Sequence, residues 1–313
     1  MRSPKISVVI PAHNRIVSLE EIINAILDQS FKDFELLVVG FKGNNTVSIV
    51  KEKFFDKRVK FFKIGNSFPS AKRNFGIAMA TAPIVAFTDD DCLPEKNWLK
   101  KIVARFNADS KLAGVEGLTC SNNKLLFCHA SKNLSGGCFP ACNFAFRTNW
   151  LKRVDGFDEG YDFFREDTDL AFAIISAGGK IVFDEGVRVF HPPRCDLPFS
   201  FSLGELKNVK SDIRLWSKFP VLYKEHFGFI CKGSFKQALF SWIALLWLIG
   251  IIVVNSLALF ILGIFGIVMF KFFVEMRGKQ FPLFGGLVFV ICSFVRDLIF
   301  PFVFAWNFVK GLK

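Results

Sequence analysis

The feature that most limits what this chain can fold into is a change of solvent partway along it. Up to about Ser234 charged and apolar stretches alternate, as in water-soluble domains. From Phe235 onward Ile, Leu, Val, Phe and Trp dominate. A water-facing domain followed by a lipid-facing tail is expected. The divisions read as an α/β domain over residues 1–200, a basic amphipathic connector over 201–237 and a helical membrane region over 238–313. Within the tail, 238–254 and 256–270 read as a helical hairpin turning at Asn255-Ser256. Each is a little short of the ~20 residues a span needs, and one long tilted helix is the alternative. The segment 283–309 carries Arg296-Asp297 at its middle. Such a pair must pack inward or lie at the interface, so an interfacial or re-entrant helix is expected, with a third membrane helix as the other reading.

The net charge of +12 admits nucleic acid, anionic lipid or a phosphorylated substrate as a partner. Zinc-finger spacing, RNP-type aromatics and a basic helix repeat are absent from the sequence, so no nucleic acid is expected. Lys207, Lys210, Arg214, Lys218, Lys224, Lys232 and Lys236 lead into the tail. There they mark a cytoplasmic side and attract anionic head groups, the plain alternative being a solvated face. The eight cysteines form no C-x-x-C pair, and Met1-Arg2-Ser3-Pro4 leads straight into a strand without a signal peptide. Free thiols are expected, in a cytoplasmic domain of a multi-pass cell-membrane protein.

Ile6 to Ile10 is a β-branched apolar run ended by Pro11, the pattern of a strand buried on both faces. Ser18-Leu-Glu-Glu21 reads as a capping box opening a helix. Strands follow at 34–39, 60–63 and 84–88, with a helix over 71–80 and another starting at Pro94-Glu95. Farther on, 143–147 reads as a strand, 166–177 as a helix ended by Gly178-Gly179, and 180–183 and 187–190 as short strands. Strands alternating with helices predict a Rossmann-like, mostly parallel sheet flanked by helices, with ligands beyond the strands' carboxyl ends.

Asp89-Asp90-Asp91 stands at such an end. Three adjacent carboxylates repel unless a cation or donors compensate, and two on alternate residues suit Mg²⁺ or Mn²⁺ shared with phosphate oxygens. An acidic turn capping the next helix is the bland alternative. Glu166-Asp167-Thr168-Asp169 opens a helix, where acids are ordinary; one of them could also serve as a general base. His191 follows a strand and is either structural, a metal ligand or a diphosphate donor.

In this order and spacing, Ser7 to Asn14, Ala71 to Gly76, Phe87 to Asp91, Asn143 to Phe146, Gly156 to Glu159, Glu166 to Leu170 and His191 resemble the inverting family 2 glycosyltransferases of the GT-A fold, over roughly residues 5 to 192. The resemblance implies metal binding by Asp89 and Asp91, completed by His191, and Asp167 as catalytic base. Pro11, Ala12, His13, Asn14, Arg73 and Asn74 would line the nucleotide pocket, with Asp89, Asp90, Asn143 and Glu166 also at the substrate. The implied reaction is a metal-dependent, inverting, single transfer from a nucleotide-sugar to a lipid-linked or glycan hydroxyl. Two departures stand out: Val39-Gly-Phe-Lys-Gly43 lacks the family's nucleotide-holding carboxylate, and Ala171-Phe-Ala173 lacks an arginine common there. A processive polysaccharide synthase is the alternative, but Ser211 to Trp216 does not fit its Q-x-x-R-W motif. A non-catalytic nucleotide-sugar binder is the rival from another class.

Overall fold

The computed structural model describes residues 3–122, 128–129, 131–253, 263–264, 266–267, 269 and 283–311. Two compact units divide the chain: 1–121 with 130–192, and 122–129 with 193–313.

The first unit is built on an eight-stranded sheet in the order β3-β2-β1-β4-β8-β6-β9-β5. The strands are β1 (Ile6–Pro11), β2 (Phe34–Phe41), β3 (Val59–Ile64), β4 (Ile84–Phe87), β5 (Leu93–Pro94), β6 (Leu112–Cys120), β8 (Phe144–Arg147) and β9 (Lys180–Phe190); β7 (Cys128–His129) belongs to the other unit. β1, β2, β3 and β4 run parallel, β8 is antiparallel to β4 and to β6, and β6 and β9 are again parallel. The expected mostly parallel α/β sheet is therefore present. Helices α1 (Ile16–Leu27), α2 (Thr46–Lys51), α3 (Pro69–Met79), α4 (Trp98–Ala108), α5 (Thr148–Arg153) and α6 (Glu166–Ser176) complete this unit. Every residue of β1 is buried, as expected for a central strand covered on both sides.

Several details differ from the sequence reading. α1 begins at Ile16, before Ser18, and has no side-chain cap, so the Ser18 capping box does not form. Pro94 pairs with Val189 in β5, and α4 starts later, at Trp98. The strands expected at 180–183 and 187–190 are one strand, β9, whose register against β6 slips between Gly117 and Leu118. β6 itself carried no strand expectation, because its glycines, Gly114 and Gly117, interrupt the apolar run. After α6, Gly178 sits at φ +87 and donates to Ile175 O, and Gly179 donates to Ile174 O, the glycine stop anticipated there.

In the second unit α7 (Pro198–Lys218), α8 (Pro220–Phe227), α9 (Lys232–Val253) and α10 (Leu283–Gly311) are helical, and β7 pairs antiparallel with β10 (Arg194–Cys195). Cys195 faces Cys128 in that ladder and the two form a disulfide. This corrects the expectation of free thiols throughout: strand pairing brings together two cysteines 67 residues apart. The expected hairpin partner 256–270 and its turn lie largely outside the described residues.

α10 has an inverted pattern for a soluble helix. Ser293, Arg296 and Asp297 are buried on one face, while Ile291, Val295, Ile299, Phe302, Trp306 and Val309 are exposed on the opposite one. Arg296 Nη2 lies 2.7 Å from Asp297 Oδ1 and donates to Gln237 Oε1 at 2.8 Å; Ser241 donates to Asp297 Oδ2 at 3.2 Å. The charged pair thus packs inward against α9, one of the two outcomes left open by the sequence. On α9 the pattern repeats, with Ala238, Ser241 and Ala244 buried and Leu239, Ile243 and Leu246 exposed. Small and polar residues inside with large apolar ones outside is how helices pack in lipid. Val288–Gly311, 24 residues, is long and apolar enough to cross a bilayer.

Candidate active site

β1, β4 and β9 point the same way, so their carboxyl ends release three loops at one edge of the sheet: Ala12 to Arg15, Thr88 to Cys92, and His191. The aspartate triplet is compensated by two arginines. Arg15 Nη1 lies 2.6 Å from both Asp90 Oδ1 and Asp91 Oδ2, and Arg73 Nη2 lies 2.7 Å from Asp89 Oδ1. Asp90 is 2 % exposed and also accepts from His13 N at 2.5 Å. Burial raises its pKa, opposed by Arg15 and the His13 N–H. The middle aspartate therefore ties the Ala12 to Arg15 loop to the triplet, while Asp89 and Asp91 stay partly exposed.

Asp91, Cys92 and His191 present ligand atoms within 4.8 Å of one another, as do Asp89, Cys92 and Cys142. His191 is fixed by its backbone, N donating to Cys120 O at 2.9 Å. Its Nδ1 lies 2.8 Å from Pro192 O. A carbonyl only accepts, so Nδ1 is the donor in that bond, which leaves Nε2 as the nitrogen turned to other partners. Carboxylate oxygens beside an imidazole nitrogen suit Mg²⁺ or Mn²⁺. Buried Cys92 keeps its proton, its pKa pushed up by burial first and by Cys142 second, and it donates to Asp91 Oδ1 at 3.4 Å.

Arg73, buried on α3, joins the triplet to α6: its Nη1 donates to Glu166 Oε1 at 3.1 Å. α6 is entered through Arg165 at φ +74, a left-handed conformation that costs a non-glycine residue roughly 1–3 kcal/mol and is found mostly where geometry serves a site. Glu166 is buried and its pKa is raised, by burial first and then by the neighbouring Asp167 charge, with Arg73 opposing. Asp167 is half-buried; Oδ1 accepts from Thr168 N at 2.7 Å and Oδ2 from Ala141 N at 3.2 Å. Burial raises its pKa too, and these N–H donors and Arg73 act against that. Asp169 is turned inward, accepting from Tyr161 OH at 2.9 Å.

Other anticipated residues lie at the same edge with different surroundings. Pro11 and Ala12 are buried, and His13 and Asn14 exposed. Asn74 bonds both ways with the Phe157 backbone and anchors the Gly156 turn. Asn143 is fully buried: it accepts from Trp98 Nε1 and donates to Leu118 O and Val187 O, so we read it as a tie between β6, β9 and α4. Arg15 and Lys72, which carry no motif of their own in the sequence, also stand at this edge. Lys72 is buried, donates to Ala12 O at 2.9 Å, and is lowered to about 8 by that burial. The available signal was their position beside Pro11 to Asn14 and Arg73.

The "Glycosyl transferase family 2" model matches residues 7–164, half of the chain. An uncharacterized glycosyltransferase of Rickettsia conorii is 39% identical over 97 residues, which is 30% of this chain and 16% of that protein. The GalNAc(5)-diNAcBac-PP-undecaprenol beta-1,3-glucosyltransferase of Campylobacter jejuni is 38% identical over 92 residues, 28% of this chain and 30% of that one. The chain thus spans less than a third of the length of either relative. Mannosyltransferase PcManGT from Pyrobaculum calidifontis, solved in complex with GDP-Man and Mn²⁺, superposes with a TM-score of 0.62 at 18% identity, over 95% of this chain and 88% of that one. That likeness establishes the GT-A-type fold. With the match over residues 7–164, the chain belongs to glycosyl transferase family 2.

Proposed function

We propose that this protein is a glycosyltransferase that moves a sugar from a nucleotide-diphosphate donor to a hydroxyl, with inversion and in single additions. One observation carries the reading: buried Arg73 bridges Asp89 and Glu166, so the triplet and the Glu166-Asp167 pair share one charge network. Asp167 takes the acceptor hydroxyl's proton as the oxygen attacks the anomeric carbon. The bond to the diphosphate breaks on the opposite face. Asp91 and His191, with Asp89 alongside, are the residues that would hold a divalent Mg²⁺ or Mn²⁺. Such an ion, when bound, neutralises charge on the departing diphosphate. Arg15 and Asp90 keep the Ala12 to Arg15 loop in register with these groups. A screen of UDP-, GDP- and dTDP-sugars is expected to give turnover that EDTA abolishes and Mn²⁺ or Mg²⁺ restores. Nucleotide-sugar binding without turnover in every arm would instead support the non-catalytic binder.

The acceptor proposed is a lipid-linked or polysaccharide hydroxyl at a membrane surface. The Campylobacter relative, named for an undecaprenol-linked glycan, supports this, as do the outward apolar faces of α9 and α10. Phe302 and Trp306 are 66% and 65% exposed. Replacing both by lysine places two charges against lipid at about 2.5–3.5 kcal/mol each at mid-bilayer. The double variant is expected to stop sedimenting with vesicles while melting as the parent does; unchanged sedimentation would sink the anchor. The basic run before the tail supports a multi-pass protein with its catalytic domain cytoplasmic, whereas the Cys128–Cys195 bond favours an oxidising compartment. Protease protection in sealed vesicles of known orientation separates the two.

A further inference from the structure

Glu116 on β6 is buried, and no basic side chain lies within ion-pair distance of it among the described residues. A carboxylate kept from water is costly unless donors surround it. Here three do: Gly137 N at 2.6 Å on Oε1, and Asn133 Nδ2 at 2.9 Å and Phe139 N at 3.1 Å on Oε2. Asn133, itself buried, also accepts from Gly136 N at 2.9 Å and exchanges both backbone hydrogen bonds with Thr119. The segment 133–139 is therefore wrapped around one side chain.

The wrapping is tight and not self-sustaining. Gly136, Gly137 and Phe139 all have positive φ, +86, +85 and +51. A Cβ on Gly136 would come within 2.8 Å of Phe183 Cβ and 3.1 Å of Glu116 Oε1. Two residues beyond Phe139, Ala141 N donates to Asp167 Oδ2. A continuous path of main chain thus runs from the Glu116 carboxylate to the carboxylate read above as the base.

We infer that Glu116 is a positioning residue for the transfer reaction: by holding the 133–139 loop it places the Ala141 N–H on Asp167 and so fixes that carboxylate for proton abstraction. The inference rests on Asp167 being the base. Glu116 touches no reacting atom and serves through the loop alone. The charged and titratable groups facing Asp167 are Glu166 and Arg165 beside it, Arg73 from α3, and Cys138 on the loop itself, whose thiol is pushed up by burial first and then by Glu116, with Asp167 adding to it.

Glu116→Gln puts an amide N–H₂ where one oxygen accepted, opposing N–H to N–H, and lets the loop go. In the full-length protein kcat should fall about ten- to hundredfold, with KM for the donor little changed. Losing the Ala141 donor disfavours the ionised base, so the acid limb of the pH–kcat profile should move up by about one unit. Hydrogen exchange over 133–141 should rise, a readout that needs no substrate. Ala141→Pro removes the linking N–H and leaves Glu116 and its three donors in place, after a Pro140 already extended enough to precede proline (ψ 127°), and keeps the test alive if Glu116→Gln does not fold. It should reproduce the limb shift, and the double variant should shift no further than either single one. Glu116→Asp should restore part of the rate. A lowered melting temperature with the pH limb and kcat unmoved, or unchanged exchange over 133–141, would overturn the proposal. Full activity in Asp167→Asn would instead defeat the reading of the base, a separate result.

Discussion

Asp167→Asn is expected to lower kcat by about 100- to 10,000-fold while KM for the donor moves little. Asparagine keeps the shape and one acceptor for the Thr168 or Ala141 N–H but cannot take a proton. The reason is that Asp167 is half-buried at a helix start and its carboxyl is held above the ordinary carboxylate range by burial. A base works only when deprotonated, so parent activity should fall as pH drops through that raised value, and this acid limb should be missing from whatever rate the variant retains. The sign for stability is opposite to that of a salt-bridged aspartate. A folded pKa above the unfolded one means the charged form weakens the fold as pH rises through it, so removing the charge should not destabilise the protein at neutral pH. Steady-state rates across pH, beside thermal melts, test both halves. A variant turning over at the parent rate would return the Glu166-Asp167 pair to ordinary helix-start charge.

Arg73→Met should be the most damaging single change to the fold near the site, at about 3–5 kcal/mol, the usual result of removing one partner from a buried ionic network. Methionine fills much of the stem's volume but leaves Glu166 buried beside Asp167 without the Nη1 contact, and Asp89 without Nη2. Glu166 already has its carboxyl raised by burial and by Asp167; without Arg73 it rises further. The loss of stability should therefore be smaller at about pH 5, where Glu166 takes up a proton and is not left as a buried charge, than at about pH 8. Denaturant melts at the two pH values measure it. A pH-independent loss would show that Arg73 contributes through packing, such as its place over the Phe157 ring at 5.5 Å, and not through charge.

The fold is legible in the sequence where one element's own residues carry the pattern. The apolar run from Ile6, the stretch from Phe34 and the Gly178-Gly179 stop are local signals, and the structure follows them. It is illegible where neighbours along the chain mislead. Ser18 with Glu21 looks like a cap, yet Ile16 is already helical, its face drawn in by the core that takes Leu19, Ile22 and Ile23. β6 was hidden because Gly114 and Gly117 lie directly against other groups: a Cβ at Gly114 would come within 2.4 Å of the Phe146 ring, and one at Gly117 within 2.2 Å of Val187 O. Only packing partners from other strands explain glycine there.

By itself, then, the sequence determined the layered α/β architecture, the apolar tail and the set of loops at the carboxyl edge, because hydrophobic period and turn chemistry are written in adjacent residues. Tertiary structure decided how the charges are shared. Asp90 is claimed by Arg15 and the His13 N–H across more than 70 residues, Asp89 and Glu166 meet on Arg73, and Asp91 comes beside His191. Three consecutive aspartates look equivalent in a string of letters. They become different when each side chain meets a different partner, because the energy of a charge is set by what surrounds it in space.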